Sequence, residues 1–193
     1  MTKRNSEDLF RCAWTTNDTL MIKYHDEEWG DAVYDDQKLF EFLILETFQA
    51  GLSWKTILHK RENFRKAFDS FDYKLISKYN DAKFESLMQD AGIIRNKLKI
   101  KSAISNAKAF IKIQEEYGSF SNYIWGFVDG KPILNSWKSL SELPATTQLS
   151  DTISKDLKKR GFKFVGSTVI YAHMQATGMV NDHTIDCFRH QKR

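Results

Sequence analysis

Apolar residues recur every three or four positions along most of this chain, and convincing two-residue alternation is almost absent. That period belongs to helices that bury one face, so the sequence predicts an all-α protein. Asp36 is placed to cap a helix carrying Leu39, Phe40, Leu43 and Phe48 on one stripe, with Gly51 just past its end. Ser53 caps the next, which turns Trp54, Ile57, Leu58, Phe64 and Phe68 inward and a run of basic residues outward. Asp72 and Asp81 open two shorter helices, the second stopping at Gly92. A long helix follows from about Asn96 to Tyr117, and Ser119 caps a short one after it. Helices resume from about Ser150 to Arg160 and from Ser167 to Thr177, stopped by Gly161 and Gly178. The segment 129–147 holds both prolines and is expected to be a loop. Because apolar helices resume beyond it, residues 1–193 are expected to form one helical domain.

A hydrophobic content of 41% supplies ample core and excludes a disordered chain. No window approaches the ~18 apolar residues of a membrane span, and MTKRNSEDLF has no apolar stretch of signal-peptide length. A soluble, cytoplasmic protein is expected. The net charge of +4 is too small to name a polyanionic partner. Its distribution says more: basic clusters lie at Lys55, Lys60, Arg61, Arg65 and Lys66, at Arg95, Lys97, Lys99 and Lys101, and at Lys155, Lys158, Lys159, Arg160 and Lys163. Such clusters are commonly solvated helix faces, but three of them keep a nucleic-acid partner in view.

Two cysteines cannot build a disulfide framework. Cys12 and His25 lie near the start, and His183 and Cys187 near the end as HTIDC. The spacing of four would put the latter pair on one helix face. Two sulfurs and two imidazoles suit tetrahedral zinc, and four protein ligands leave no open position for a reacting water. Such a site would be structural, joining the two ends of the chain. Ordinary surface histidines and buried thiols are the alternative.

Three of the five tryptophans, Trp14, Trp29 and Trp54, fall in the first 54 residues with Tyr24, whereas Trp125 and Trp137 read as core anchors. Glu46 stands inside the apolar run FEFLILETFQAG. A buried carboxylate is costly unless paired, and perturbed carboxylates in clefts mark functional sites. A carboxylate among aromatic rings suits a flipped purine, with rings stacking on the base and the acid accepting from its amine. A cationic base gains further from the aromatic faces. A paired structural acid is the alternative. In DAGIIRNKLKI, a glycine turn precedes a helix start rich in basic residues, which can present N–H groups to a phosphate. A plain interhelical turn would look the same.

Together these segments closely resemble the DNA-3-methyladenine glycosylase I family. The resemblance runs from RCAW at 11–14 through YHDEEWG at 24–30, LFEFLILETFQAGLSW at 39–54, QDAGIIRNK at 89–97 and KKRGFKFVGST at 158–168 to HTIDC at 183–187. It implies an all-helical, helix-hairpin-helix glycosylase with one structural zinc on Cys12, His25, His183 and Cys187. It further implies hydrolysis of the N-glycosidic bond of 3-methyladenine in alkylated double-stranded DNA, with free 3-methyladenine and an abasic site as products. The implied pocket carboxylate, recognising and positioning the base, is Glu46, and the implied aromatics are Trp14, Tyr24, Trp29 and Trp54. Gln49, Gly51 and Leu52 match a DNA-probing loop that fills or wedges the gap left by the flipped nucleotide. Gly92, Ile93, Ile94, Arg95 and Asn96 match the hairpin that grips the backbone. The family often has a tyrosine at the place of Met21, in a P-x-Y-x-x-Y-H-D run, where this chain reads TLMIKYHD. No lysine matches a Schiff-base nucleophile, so hydrolysis without a lyase step, by a monomer, is expected. The competing class is a non-catalytic, zinc-stapled module that binds lesions.

Overall fold

A computed structural model of the chain describes residues 9–190. Helices dominate, in the order α1 (Thr19–Glu27), α2 (Asp36–Gln49), α3 (Trp54–Ala67), α4 (Tyr73–Ile76), α5 (Asp81–Gln89), α6 (Lys97–Tyr117), α7 (Phe120–Trp125), α8 (Gln148–Lys159) and α9 (Ser167–Ala176). The expected helical class is therefore met, with one addition. Two-residue strands β1 (Ile133–Leu134) and β2 (Val180–Asn181) pair in parallel, tying the segment 129–147 to the C-terminal end. None of the described helices is long and apolar enough to cross a membrane.

The caps explain most boundaries. Ser53, Asp72, Asn96 and Ser119 each accept from backbone N–H groups in the first turn of α3, α4, α6 and α7. Two expected starts shift by one residue: Asp35 rather than Asp36 caps α2, and Asn80 rather than Asp81 caps α5. Helix α5 also ends at Gln89, three residues before Gly92, because Asp90 takes an extended conformation. Helix α1 carries no apolar stripe as clear as those of its neighbours and escapes periodicity, although Asp18 caps it with two bonds.

The main core gathers Leu39, Phe40, Leu43 and Phe48 of α2, Phe64 and Phe68 of the α3 end, Ile100, Ala107 and Phe110 of α6, and Ile170 and Met174 of α9. Helix α2 is buried from Leu39 to Phe48 on every face. Asp36, in its first turn, accepts from the Phe120 and Ser121 N–H groups at 2.9 and 2.8 Å, fastening α2 to the start of α7. At its other end, Lys99 Nζ donates to the Phe48 and Ala50 carbonyls at 2.8 and 2.6 Å. The basic run of α3 is not wholly outward. Arg61 is buried, bonding Glu41 at 2.6 Å and Glu28 through both terminal nitrogens at 3.0 Å. Two acids distant in sequence draw it inward, which local periodicity does not encode.

A smaller cluster of Cys12, Met21, Tyr24, Trp29, Phe42, Leu58, Ala176 and Cys187 joins the two ends of the chain. Gly178 lets α9 end against the segment entering α2: its φ is +70°, and a Cβ there would lie 2.4 Å from the Asp31 carbonyl carbon. Gly178→Ala is expected to destabilise the protein by roughly 2–4 kcal/mol through strain and backbone clash, measured as a lowered urea midpoint.

Candidate active site

A cavity of about 240 Å³ opens between α1, α2, the start of α3 and α9, lined by Trp14, Met21, Tyr24, Trp29, Glu46, Gln49, Trp54, Leu140, Leu143, Ala172 and Gln175. The aromatic residues and the carboxylate singled out in the sequence thus converge. Trp14 meets Trp29 edge to face at 5.0 Å between centroids, and Tyr24 lies 5.0 Å from Trp54. The Trp14 and Trp54 indole N–H groups are buried and have no hydrogen-bond partner among the described residues.

Glu46 is buried by α2, and its carboxylate accepts no hydrogen bond and forms no ion pair among the described residues. Burial alone pushes its pKa up to about 8. Tyr24 is raised well above the ordinary tyrosine value, first by burial and then by the nearby Glu46 charge. The cavity therefore offers aromatic faces and one high-energy acceptor. It suits a flat, electron-poor ring that brings its own donor or positive charge.

Gln49 lines this cavity and a neighbouring one that also includes Gly51 and Leu52. Gly51 has φ +79°, and this turn leaves Leu52 41% exposed at the rim. The turn 90–96 joins α5 to α6. Gly92 N–H donates to Asp90 at 2.7 Å, and a Cβ on Gly92 would meet that same oxygen at 2.9 Å. Ile93 is buried in the core, Ile94 packs partly against it, and Arg95 and Asn96 face solvent, with Asn96 capping α6.

Behind the cavity, Cys12, His25 and Cys187 bring potential ligand atoms within 4.8 Å of one another, a group that could hold a metal ion. Cys187 Sγ lies 3.4 Å from His25 Nε2. His25 Nδ1 bonds Asp26 at 2.7 Å, and Arg11 holds Asp26, so Nε2 is the nitrogen turned toward the sulfurs. The His183 ring is 4.8 Å from that of His25, and both its buried nitrogens lack a partner among the described residues. A hydrogen bond from Cys12 pushes the Cys187 thiol down, and the same contact pushes Cys12 up. The expected helix through His183 and Cys187 is not present. Residues 184–187 form a turn closed by Cys187 N–H on the Thr184 carbonyl at 2.8 Å, and His183 precedes it in irregular backbone. Trp29 connects the two sites, its ring 4.6 Å from His183 and 5.0 Å from Trp14.

Sequence patterning missed Leu140, Leu143, Ala172 and Gln175. The two leucines sit in an aperiodic loop, and Ala172 and Gln175 carry no chemical oddity to flag them. Trp137, expected in the core, is half-buried and donates to Asp182 instead, while Trp125 is a core anchor as expected. His173 is buried against the Leu39 carbonyl and held down to about 4 by burial.

A carboxyl whose folded pKa lies above its unfolded value favours folding at low pH and loses that advantage as pH rises toward 8. Glu46→Gln is therefore expected to stabilise the ligand-free protein by roughly 3 kcal/mol at pH 7, the gap closing below the ordinary carboxylate range. Thermal melts of both proteins from pH 4 to 9 measure it, and a pH-independent difference would show that Glu46 does not titrate in this way.

The family model described as methyladenine glycosylase matches residues 14–190. The chain is 48% identical to DNA-3-methyladenine glycosylase 1 of Escherichia coli strain K12 over 177 residues, covering 92% of this chain and 95% of that one. It is 46% identical to the DNA-3-methyladenine glycosylase of Haemophilus influenzae, covering 92% and 96%. A crystal structure of 3-methyladenine DNA glycosylase I superposes with a TM-score of 0.91 at 49% identity, covering 94% of this chain and all of that one. A substituted 3-methyladenine DNA glycosylase I in complex with 3-methyladenine superposes at 0.89 with 34% identity, covering 92% and 95%. With motifs, cavity and backbone in agreement over almost its whole length, the chain belongs to the methyladenine glycosylase family.

Proposed function

We propose that this protein is a DNA repair enzyme that hydrolyses the N-glycosidic bond of 3-methyladenine in alkylated double-stranded DNA, flipping the lesion into the aromatic cavity. The observation that carries this is the unpartnered Glu46 carboxylate facing a cavity walled by Trp14, Tyr24, Trp29 and Trp54. Relatives of 48% and 46% identity that bear the name DNA-3-methyladenine glycosylase support it.

Methylation at N3 makes the base in DNA a cation, so it leaves as a neutral molecule without being protonated. The positive ring gains from the aromatic faces and restores the ionised form of Glu46, which accepts from the exocyclic amine. As the C1′–N9 bond breaks, its electrons pass to the base, and DNA phosphates together with Glu46 stabilise the sugar cation. Water then bonds to C1′ and gives its proton to solvent, leaving an abasic site. Among the described residues no lysine lines the cavity, which supports hydrolysis without a lyase step.

Leu52, on the Gln49–Gly51 turn at the rim, wedges into the gap left by the flipped nucleotide. The turn from Gly92 to Asn96 grips the backbone through the Ile94 and Arg95 N–H groups and the Arg95 side chain, its other N–H groups being bonded within the turn, while Ile93 anchors it to the core. This is the helix-hairpin-helix element of one helical domain, in which the segment 129–147 forms a cavity wall.

In this reading one zinc ion is held by Cys12, His25 and Cys187, whose ligand atoms lie together, and by His183, which stands outside that group with its ring beside His25. The two orphaned His183 nitrogens and the Asp26-oriented His25 support that ligand set. With four protein ligands such an ion would act structurally, joining the ends of the chain behind Trp29.

Chromatography of bases released from methylated duplex DNA tests the activity. Prompt release of 3-methyladenine is expected, with little 7-methylguanine, and Glu46→Gln should lower kcat/KM about 100-fold. Binding to methylated DNA with no released base would replace the enzyme with a lesion-binding module. For wild type, kcat/KM should rise with pH and level off above about 8, as Glu46 ionises in the free enzyme. Removing the metal with a chelator is expected to lower the melting temperature by roughly 10 °C or more. A catalytic metal would instead be lost with activity while the melting temperature held.

A further inference from the structure

Asp182 is buried outside the base cavity and receives four hydrogen bonds. Asn135 Nδ2 and Trp137 Nε1 donate to Oδ1 at 2.6 and 2.8 Å, and the Tyr171 hydroxyl and Gln175 Nε2 to Oδ2 at 2.6 and 2.8 Å. The first two donors come from the segment 129–147, which also supplies Leu140 and Leu143 to the cavity wall. The other two come from α9, which supplies Ala172 and Gln175. One carboxylate thus ties together the two elements that close this side of the base site.

The consequence for Gln175 follows from hydrogen-bond valence. Nε2 of Gln175 donates to Asp182 Oδ2, so the amide turns its NH2 toward Asp182. Its oxygen accepts no hydrogen bond among the described residues, and the side chain borders the cavity. We propose that Gln175 is a further base-reading residue, with Asp182 as its positioning residue, so that Oε1 accepts a hydrogen bond from the flipped base. This rests on the glycosylase reading above. The exocyclic amine of 3-methyladenine carries two hydrogens, and Glu46 and Gln175 can each take one. A base with a carbonyl at that place would set its oxygen against the Gln175 acceptor, and against Glu46 as well above about pH 8, where the binding comparison is made.

The test uses the metal-loaded full chain and two free bases, 3-methyladenine and 3-methylhypoxanthine, which has a carbonyl in place of the amine. Quenching of Trp14 and Trp54 fluorescence reports binding. Wild type is expected to prefer 3-methyladenine. Gln175→Met, which keeps the length and removes the amide, should weaken 3-methyladenine about tenfold while leaving 3-methylhypoxanthine within about twofold. In turnover, KM should rise with kcat nearly unchanged. Asp182→Asn, which frees the amide to rotate, should lower the same preference severalfold, so either variant carries the comparison if the other does not fold. An unchanged preference overturns the proposal, as does equal weakening of both bases, the mark of a packing role. Wild type that binds neither base would overturn the glycosylase reading itself.

Discussion

The burial of α2 is the constraint on which the remainder of the structure depends. A helix enclosed on every face cannot move a side chain into solvent, so Glu46 stays in an apolar setting that raises its pKa to about 8. The cost is held in place by fastening the helix along its length. Asp36 bonds the start of α7, Glu41 pairs with Arg61, and Lys99 takes the last carbonyls. A carboxylate kept at high energy without a ligand gains most from a ligand that brings positive charge, and this links packing to recognition.

The Cys and His cluster belongs to the same logic. It lies behind the aromatic cavity, and Trp29 touches both, stacked near His25 and tilted against His183 while meeting Trp14 on its other side. Joining the ends of the chain therefore also bears on how the rings of the cavity are set. The Lys99 contact makes a comparable connection elsewhere. It runs from the first turn of α6, just after the 90–96 turn, to the carbonyls beside the Leu52 turn, so the two candidate DNA-facing elements share one buried amine.

Met21, in the cavity wall, stands where the resemblance to the family implies a tyrosine. It is buried beside Tyr24 in the cluster that joins the chain ends. A flexible thioether fills the wall there without a polar tip.

What this sequence determined by itself was helical class, most boundaries and the unusual residues. Period, capping and composition act locally, so Ser53, Asn96 and Ser119 announced their helices, and Glu46 stood out within an apolar run. The resemblance to the family grouped Trp14, Tyr24, Trp29 and Trp54 before any coordinates did so. Only the tertiary structure decided which polar groups lack partners, because satisfaction of a buried group depends on residues far away in the chain. It turned Arg61 inward to Glu28 and Glu41, formed a turn where i, i+4 spacing implied a helix at His183 and Cys187, and folded the aperiodic segment 129–147 over the cavity. Asp182 and Gln175 carry no local signature at all. Their meaning arises from four hydrogen bonds that converge from two elements, a relation that spacing along the chain cannot express.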